Sequence, residues 1–290
     1  PLYNADKSRI KGKIFTLDHD TNTNGRIDIN DLQWHYMDGD GDFRSAEVTA
    51  LRDEADIIIT NPPFSLFREF LAWIIDGKKQ FAIIGNQNAI TYKEVFPLIK
   101  GNKIWIGATG NGSDMVFGVP EGAHVADSDR AKAARLGYVG NYTRLGNSCW
   151  FTNIEHGRRH QPLKLMSKID NLKFNKKLKG QVDYYRYGNY DVIEIPFSDA
   201  IPSDYNGIMG VPITFLDKYC PEQFEIVSAS DFAIDDIIGW HGVTQEFCDL
   251  YYSQGNKGQI SVGWPLPYYV NIEGKAIIPY KRILIRHKKQ

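Results

Sequence analysis

The order of apolar and polar positions divides the chain into a regular α/β stretch and a less regular remainder. Asp56-Ile57-Ile58-Ile59-Thr60 is a continuous apolar run with polar flanks, which predicts a strand buried on both faces of a parallel sheet. Phe67, Phe70, Leu71, Ile74 and Ile75 recur at helical spacing and Gly77 supplies a stop, so Phe67 to Ile75 reads as a helix. Ala46 to Glu54 reads as a helix before the strand. Phe81-Ala82-Ile83-Ile84-Gly85 follows as a second buried strand, and Tyr92 to Ile99 as a further helix. Strand, helix, strand, helix at this spacing predicts a doubly wound α/β sheet.

Outside that stretch the pattern is looser. Ile14-Phe15-Thr16-Leu17 reads as a short strand, followed by a polar Asp/Asn/Gly stretch and then Trp34-His35-Tyr36-Met37. Downstream, Ile104-Trp105-Ile106, Met115-Val116-Phe117 and Cys149-Trp150-Phe151 read as short strands, and the polar stretch Glu121 to Gly146 as a long loop. Tyr205 to Pro212, with two glycines and a proline, reads as a structural turn before the apolar run Ile213-Thr214-Phe215-Leu216. Beyond His156 the chain is irregular and rich in Tyr, Lys and Gly. These shifts place a domain boundary near 155, giving residues 1–155 and 156–290.

Composition narrows the class. With 290 residues and 42% hydrophobic side chains, the chain can bury one large core, or a core domain with a smaller partner. A charged fraction of 24% is that of a folded protein rather than a disordered one. The net charge of −1 excludes a uniformly basic nucleic-acid binder and leaves room for a local basic face. Cys149, Cys220 and Cys248 form neither a zinc pattern nor a disulfide framework, and the histidines are scattered without metal spacing. No apolar run approaches the ~20 residues that cross a bilayer, and no signal peptide is visible. The expectation is a cytoplasmic protein with no membrane association.

The sharpest chemical signal is Thr60-Asn61-Pro62-Pro63-Phe64, directly after the predicted strand. Open α/β sheets bind ligands at the carboxyl ends of their strands. An exocyclic amine on a base is a poor nucleophile because its lone pair is delocalised into the ring. Acceptors placed against both of its N–H groups draw the nitrogen toward sp³ geometry, and the Asn61 side-chain oxygen and Pro62 carbonyl can act together in that way. Consecutive prolines fix the turn that aims the carbonyl. Phe64 offers a flat apolar face for a flipped base. What remains is in-line alignment with a sulfonium methyl, which is a matter of positioning. The competing reading is a plain loop with Phe64 in the core. The same pattern also serves enzymes that methylate RNA bases or protein amides, so it names a reaction more firmly than a substrate.

Several segments together resemble the EcoRI-type adenine-specific DNA modification methylases. They are Gly39-Asp40-Gly41-Asp42-Phe43-Arg44-Ser45, Asp56 to Phe70, Ile90 to Gly107, Asp204 to Phe224 and Arg282-Ile283-Leu284-Ile285. The resemblance implies a Rossmann-like S-adenosylmethionine-dependent methyltransferase sheet with a smaller, irregular DNA-recognition region. It implies S-adenosylmethionine as donor and duplex DNA as substrate, with the target adenine flipped out and held by Asn61 to Phe64. It places Asp40, Asp42 and Phe43 against the cofactor: a carboxylate accepting from an N–H or hydroxyl, and Phe43 packing on the adenine ring. The bare composition of that segment reads as an Asp/Gly surface turn. Such methylases carry a first cofactor-binding element upstream of this acidic segment. None is found between Pro1 and Asp38, so the chain is expected to be incomplete or diverged there, with residues 1–155 as catalytic domain and 156–290 as target-recognition region. A cognate restriction endonuclease in the same system is implied as a functional partner, without a stable complex.

Two further features bear on ligands. Asp20 to Asp31 fits the calcium-loop template, with Asp20, Asn22 and Asn24 at positions 1, 3 and 5, Gly25 at 6, the Arg26 carbonyl at 7 and Asp31 at 12. The alternative is an Asx-rich turn capping a helix near Asn30. Bound calcium would be a structural clip, since methyl transfer from a sulfonium needs no Lewis acid. Between His156 and Tyr187 lie nine cations: Arg158, Arg159, Lys164, Lys168, Lys173, Lys176, Lys177, Lys179 and Arg186, opposed by Asp170 and Asp183. Tyr184, Tyr185 and Tyr187 interleave. Such a stretch suits phosphate contacts and stacking on DNA, with Arg158, Arg159, Lys176, Lys177, Lys179 and Arg186 as expected contacts; the plain alternative is a solvated loop. The competing functions are a calcium-stabilised, catalytically incomplete DNA-binding protein, and an amino-methyltransferase acting on RNA or protein.

Overall fold

Capping chemistry and helical spacing set the first elements. A computed structural model describes residues 3–107, 115–178, 180–230 and 240–288. The chain divides into two compact units, Pro1–Phe81 and Ala82–Gln290. In the first, α1 (Lys7–Ile10) precedes β1 (Lys13–Thr16), which pairs antiparallel with β2 (Gln33–Tyr36), Lys13 opposite Tyr36 and Thr16 opposite Gln33. In α2 (Ala46–Glu54) the Ser45 hydroxyl caps the first turn by accepting from the Val48 N–H. Then come β3 (Ile57–Thr60) and α3 (Phe67–Asp76), whose buried stripe is Phe67, Phe70, Leu71 and Ile74. Arg52 joins the two helices. It is buried, donates from Nη1 to the Trp73 carbonyl at 2.8 Å and from Nε to Asp53 at 2.8 Å, and its guanidinium lies over the Trp73 ring. A Cβ at Gly77 would come within 2.6 Å of Arg52 Nε, so that glycine both ends α3 and makes room for the arginine.

One expectation is corrected here. The run Ile57–Ile59 is not buried on both faces: Ile57 is 48% and Ile59 is 69% exposed. An apolar run reports that a strand can be covered, and does not say what covers it.

The Asp20–Asp31 loop connects β1 to β2 and is closed by its own hydrogen bonds. The Asp31 carboxylate is buried and accepts from Thr21 N, Thr21 Oγ1, Asn22 N and Asp28 N, at 2.9 to 3.2 Å. Asp20 accepts from Asn24 N and Gly25 N, Asn22 from Asn24 N, and Asn24 from Arg26 N. Thr23 and Gly25 hold positive φ, 59° and 82°. Three of these donors converge on Asp31 Oδ1 and the Asp28 N–H on Oδ2, so the carboxylate already serves the loop's own donors. Among the described residues no group of three or more His, Cys, Asp or Glu is placed to hold a metal ion. Calcium ligation by Asp20, Asn22, Asn24, Arg26 and Asp31 is not shown, and the hydrogen bonds are those of the Asx-rich turn: Asp28 and Asp31 form a capping box on the short 3-10 helix Ile29–Asp31.

The second unit is reached through β4 (Gln80–Asn86), which spans the division. It continues with α4 (Phe96–Lys100), β5 (Trp105–Ile106), β6 (Met115–Gly118), α5 (Asp127–Arg135), β7 (Tyr142–Leu145) and β8 (Ser148–Thr152). Then follow α6 (Lys168–Phe174), β9 (Val192–Glu194), β10 (Ile208–Pro212), β11 (Phe224–Ala229), α7 (Gln245–Ser253), β12 (Tyr269–Val270), β13 (Ala276–Ile277) and β14 (Arg282–His287). β8 pairs antiparallel with both β4 and β5, and β6 with β7. A second sheet has the order β11-β14-β10-β9, in which β9 and β10 run parallel and the other pairs antiparallel. The chain is a mixed α/β protein with mixed sheets. The long loop expected over Glu121 to Gly146 contains α5 and β7. The expected turn Tyr205 to Pro212 contains β10, with Gly210 where the Tyr187 hydroxyl approaches too closely for a Cβ. Residues between the neighbouring strands β11 and β14 carry α7, β12 and β13 around their own core of Val243, Phe247, Cys248, Ile260, Tyr268 and Ala276. Among the described residues no helix is long and apolar enough to cross a membrane.

The second sheet is fastened by an enclosed ion pair. Glu194 on β9 is 4% exposed and accepts from Arg282 on β14, through Nη2 at 2.6 Å and Nε at 3.1 and 3.2 Å, and from the Tyr187 hydroxyl. Burial next to that carboxylate pushes the Tyr187 phenol well above its ordinary value, so it stays a donor.

Two outcomes are expected. Glu194→Ala leaves the guanidinium buried without its partner, and urea unfolding should show a loss of about 3–5 kcal/mol. Asp31 is held below the usual carboxylate range, first by the Asp28 N–H, with Thr21 and Asn22 adding. Its contribution is therefore present above about pH 4 and is lost as pH falls through the lowered folded value. Differential scanning calorimetry should find the melting gap between wild type and Asp31→Ala widest at neutral pH and closing in acid. Calcium chloride should leave the wild-type transition unmoved; a rise would restore the metal reading.

Candidate active site and nucleic-acid interface

The turn leaving β3 is built by backbone restraint. Pro62 is buried, while Asn61, Pro63 and Phe64 are exposed, Phe64 by 40%. Pro63 has φ −55° and ψ 125°, and its carbonyl accepts from Leu66 N at 2.9 Å, closing the short 3-10 helix Phe64–Leu66 that runs into α3. Moving this turn would drag the buried face of α3 with it. Among the described residues no hydrogen bond is found to the Asn61 carboxamide or to the Pro62 carbonyl. The arrangement offers two acceptors one residue apart, beside an exposed aromatic face.

The acidic segment lies in the same unit, between β2 and α2. Its entry is fixed by Glu47, in the first turn of α2, whose carboxylate accepts from Asp38 N and Gly39 N, each at 3.1 Å. Gly41 sits at φ 86° and packs against Gly12, where a Cβ would meet Met37 Sδ at 2.7 Å. Asp42 accepts from Arg44 through its N–H, Nε and Nη2, at 2.6 to 3.0 Å, and Arg44 Nη1 reaches Glu69 at 3.3 Å. The Arg44 side chain holds the Asp42 carboxyl down to about 2, so it remains charged through the physiological range. Asp40 is exposed and accepts from Asp42 N through Oδ1, and no bond to its Oδ2 is found among the described residues. Phe43 is buried, edge-on to Phe70 and Trp73 at centroid distances of 5.1 and 5.6 Å. The ring is thus committed to the helix pair. Arg44 and Glu47 were not singled out from the sequence. The Ser45 cap with an acidic residue in the following turn was the available signal for Glu47.

The predicted interface residues, all in the second unit, separate by role. Arg159 is buried, with its guanidinium 3.8 Å from the Trp105 ring centroid, paired with Glu155 at 2.8 Å and bonded to Asn102. It braces the start of the basic segment, so its expected place on a solvent-facing phosphate track is corrected. Arg158 is half-buried in the same turn, and Arg186 is exposed and paired with Asp191. Lys176 and Lys177 are exposed, Lys177 with its ammonium 4.1 Å from the Phe197 ring centroid. Lys164 and Lys173 are exposed as well. Lys179 lies outside the described residues. Lys168 pairs with Asp183 at 2.8 Å, so part of the positive stretch is neutralised within the fold.

Comparison with known proteins identifies the family. The family model described as Adenine-specific methyltransferase EcoRI matches residues 2–288. Type II methyltransferase M.EcoRI of Escherichia coli is 44% identical over 203 residues, covering 70% of this chain and 59% of that protein. Type II methyltransferase M.MgeORF184P of Mycoplasma genitalium is 36% identical over 266 residues, covering 91% of this chain and 74% of that protein. Type II methyltransferase M.MpnI of Mycoplasma pneumoniae is 33% identical over 254 residues, covering 87% and 70%. The match to the Escherichia coli protein thus spans less than two thirds of that protein's length. No solved structure matches the chain. The match runs over nearly the whole sequence, and the chain belongs to the EcoRI family of adenine-specific methyltransferases.

Proposed function

We propose that this protein transfers a methyl group from S-adenosylmethionine to the N6 amine of adenine in duplex DNA, with the base turned out of the helix onto Asn61-Pro62-Pro63-Phe64. The observation that carries the reading is the proline-fixed turn itself, with an exposed Asn61 amide, an exposed Phe64 ring and Pro62 buried as its anchor. Membership of the family supports adenine as the acceptor. Asn61 Oδ1 and Pro62 O accept from the two N6–H groups, which returns the lone pair to the nitrogen. Phe64 holds the ring plane by stacking. As the N6–C bond forms, one N–H proton leaves toward water beside the exposed Asn61. When bound, S-adenosylmethionine would supply the electrophilic methyl, its S–C bond breaking as the N6–C bond forms and its sulfur keeping the electron pair to leave as a neutral thioether.

The acidic segment fits the hydroxyl and amino groups of a nucleoside in one respect. Asp40 is exposed with acceptor capacity left, whereas Asp42 serves chiefly to hold Arg44 and the loop. Phe43 is buried against Phe70 and Trp73 with the Arg44 guanidinium over its ring, so it supports the segment from behind. The Rossmann-like methyltransferase architecture belongs to the proposal, as does the division of roles between residues 1–155 for catalysis and 156–290 for target recognition. That division follows the chain and does not coincide with the two compact units. Arg158, Lys176, Lys177 and Arg186 are the proposed phosphate contacts, and binding through them should weaken as salt rises. A restriction endonuclease acting on the same sites is the proposed functional counterpart, without a stable complex.

Transfer of labelled methyl from S-adenosylmethionine to unmethylated plasmid DNA tests the reading. Asn61→Ala, at an exposed position, should keep the wild-type melting temperature and lose activity on the order of a hundredfold, the scale seen when one polar group facing the reacting atoms is removed. Full activity in that variant would overturn the role given to Asn61.

A further inference from the structure

Tyr280 and Lys281, the residues that lead into β14, both reach the turn that follows β4. Tyr280 Oη donates to Asn88 Oδ1 at 2.7 Å, across 192 positions of sequence, and Lys281 Nζ donates to Thr91 Oγ1. That turn, Gln87–Thr91, sits at the carboxyl end of β4, the end at which α/β sheets bind ligands. It is held from within. The Asn86 side chain accepts from Asn88 N at 2.9 Å, Gln87 N donates to Asn147 O at 2.6 Å, and Ala89 and Ile90 are buried. On the other side, Arg282 Nη1 donates to the Tyr280 carbonyl, and Arg282 is itself gripped by buried Glu194. Tyr280 is therefore tethered at its hydroxyl and at its backbone.

Its ring is nevertheless 62% exposed. A tyrosine that serves packing buries its ring, and a solvated one leaves its hydroxyl free. Here the polar ends are fixed and the flat apolar face is left outward, the arrangement that lets an aromatic accept a base with little ordering cost. The neighbourhood is polar. Ser148, opposite Asn86 in the β4–β8 register, has a buried hydroxyl with no hydrogen-bond partner among the described residues. The adjoining Lys281 is half-buried and spends its ammonium on Thr91, which helps to fix the segment that carries the ring.

We infer that Tyr280 is a stacking platform for an unstacked base of the substrate DNA, positioned by Asn88 and Arg282. The inference rests on the DNA reading above and adds a residue to it. The test compares wild type, Tyr280→Ala and Tyr280→Phe by fluorescence anisotropy on a labelled duplex cut from plasmid DNA, and by methyl-transfer kinetics on the same DNA. Tyr280→Ala should raise Kd and KM for DNA by about tenfold or more, the range for losing one base–aromatic stack. Its melting temperature and its calorimetric affinity for S-adenosylhomocysteine should match wild type. Tyr280→Phe, which keeps the ring and loses the Asn88 bond, should recover most of the binding. Wild-type Kd and KM in Tyr280→Ala would overturn the platform and leave the DNA reading standing. Tyr280→Phe as defective as Tyr280→Ala, with a lowered melting temperature in both, would reduce Tyr280 to a structural tether. A wild-type protein that neither binds nor methylates the duplex would overturn the DNA reading and this inference with it.

Discussion

Two adjacent pyrrolidine rings fix the backbone where β3 ends, and the proposed chemistry depends on that restraint. Pro62 is buried and Pro63 hands its carbonyl to Leu66, so the turn is welded to the first turn of α3 and to the apolar stripe of Phe67, Phe70, Leu71 and Ile74. A flexible loop with the same side chains would have to order itself around each substrate. Here the order is already present, and Asn61 sits outward at a position that the packing behind it dictates. Since methyl transfer is governed by distance and alignment, rigidity at this point matters more than any shifted titration.

Charge is used elsewhere to hold polypeptide in place. In the first unit, Glu47 ties down Asp38 and Gly39, and Arg44 spans Asp42 and Glu69 across the start of α2. In the second unit, Glu194 and Arg282 bind β9 to β14 from inside the fold, and Arg159 stacks on Trp105 where the basic segment begins. These pairs explain why a chain with a net charge of −1 and a long cationic stretch does not present that stretch as one uniform patch. Lys164, Lys173, Lys176 and Lys177 stand exposed, while other members are committed inward or paired.

Apolar runs and helical spacing recovered several elements. The helices Ala46–Glu54 and Phe67–Asp76 and the strands around Ile58, Ile83 and Trp150 lie where the pattern put them, within a residue or two. The turn after β3 was legible because Asn-Pro-Pro permits little else. Other features depended on partners that spacing does not reveal. α5 has no apolar stripe: its signals are alanine content, Asp127 and Asp129 in the first turn, and Lys132 and Arg135 in the last. β10 was hidden by Gly210, a residue whose absence of a side chain is explained by Tyr187, distant in sequence. Arg159 looked like a neighbour of Arg158 and is instead buried, because Trp105 and Glu155 complete it. The calcium template was matched by residue type, yet Asp31 turns its oxygens to Thr21, Asn22 and Asp28. The antiparallel return of β8 between β4 and β5 was not legible, because a short apolar run does not fix the direction of its neighbours.

The central claim concerns one nitrogen atom of one base. Its most direct test is mass spectrometry of nucleosides released from plasmid DNA after incubation with the protein and deuterated-methyl S-adenosylmethionine. The account predicts that the heavy methyl appears as N6-methyladenine. Heavy methyl on cytosine, or in the protein with none in the DNA, would contradict it.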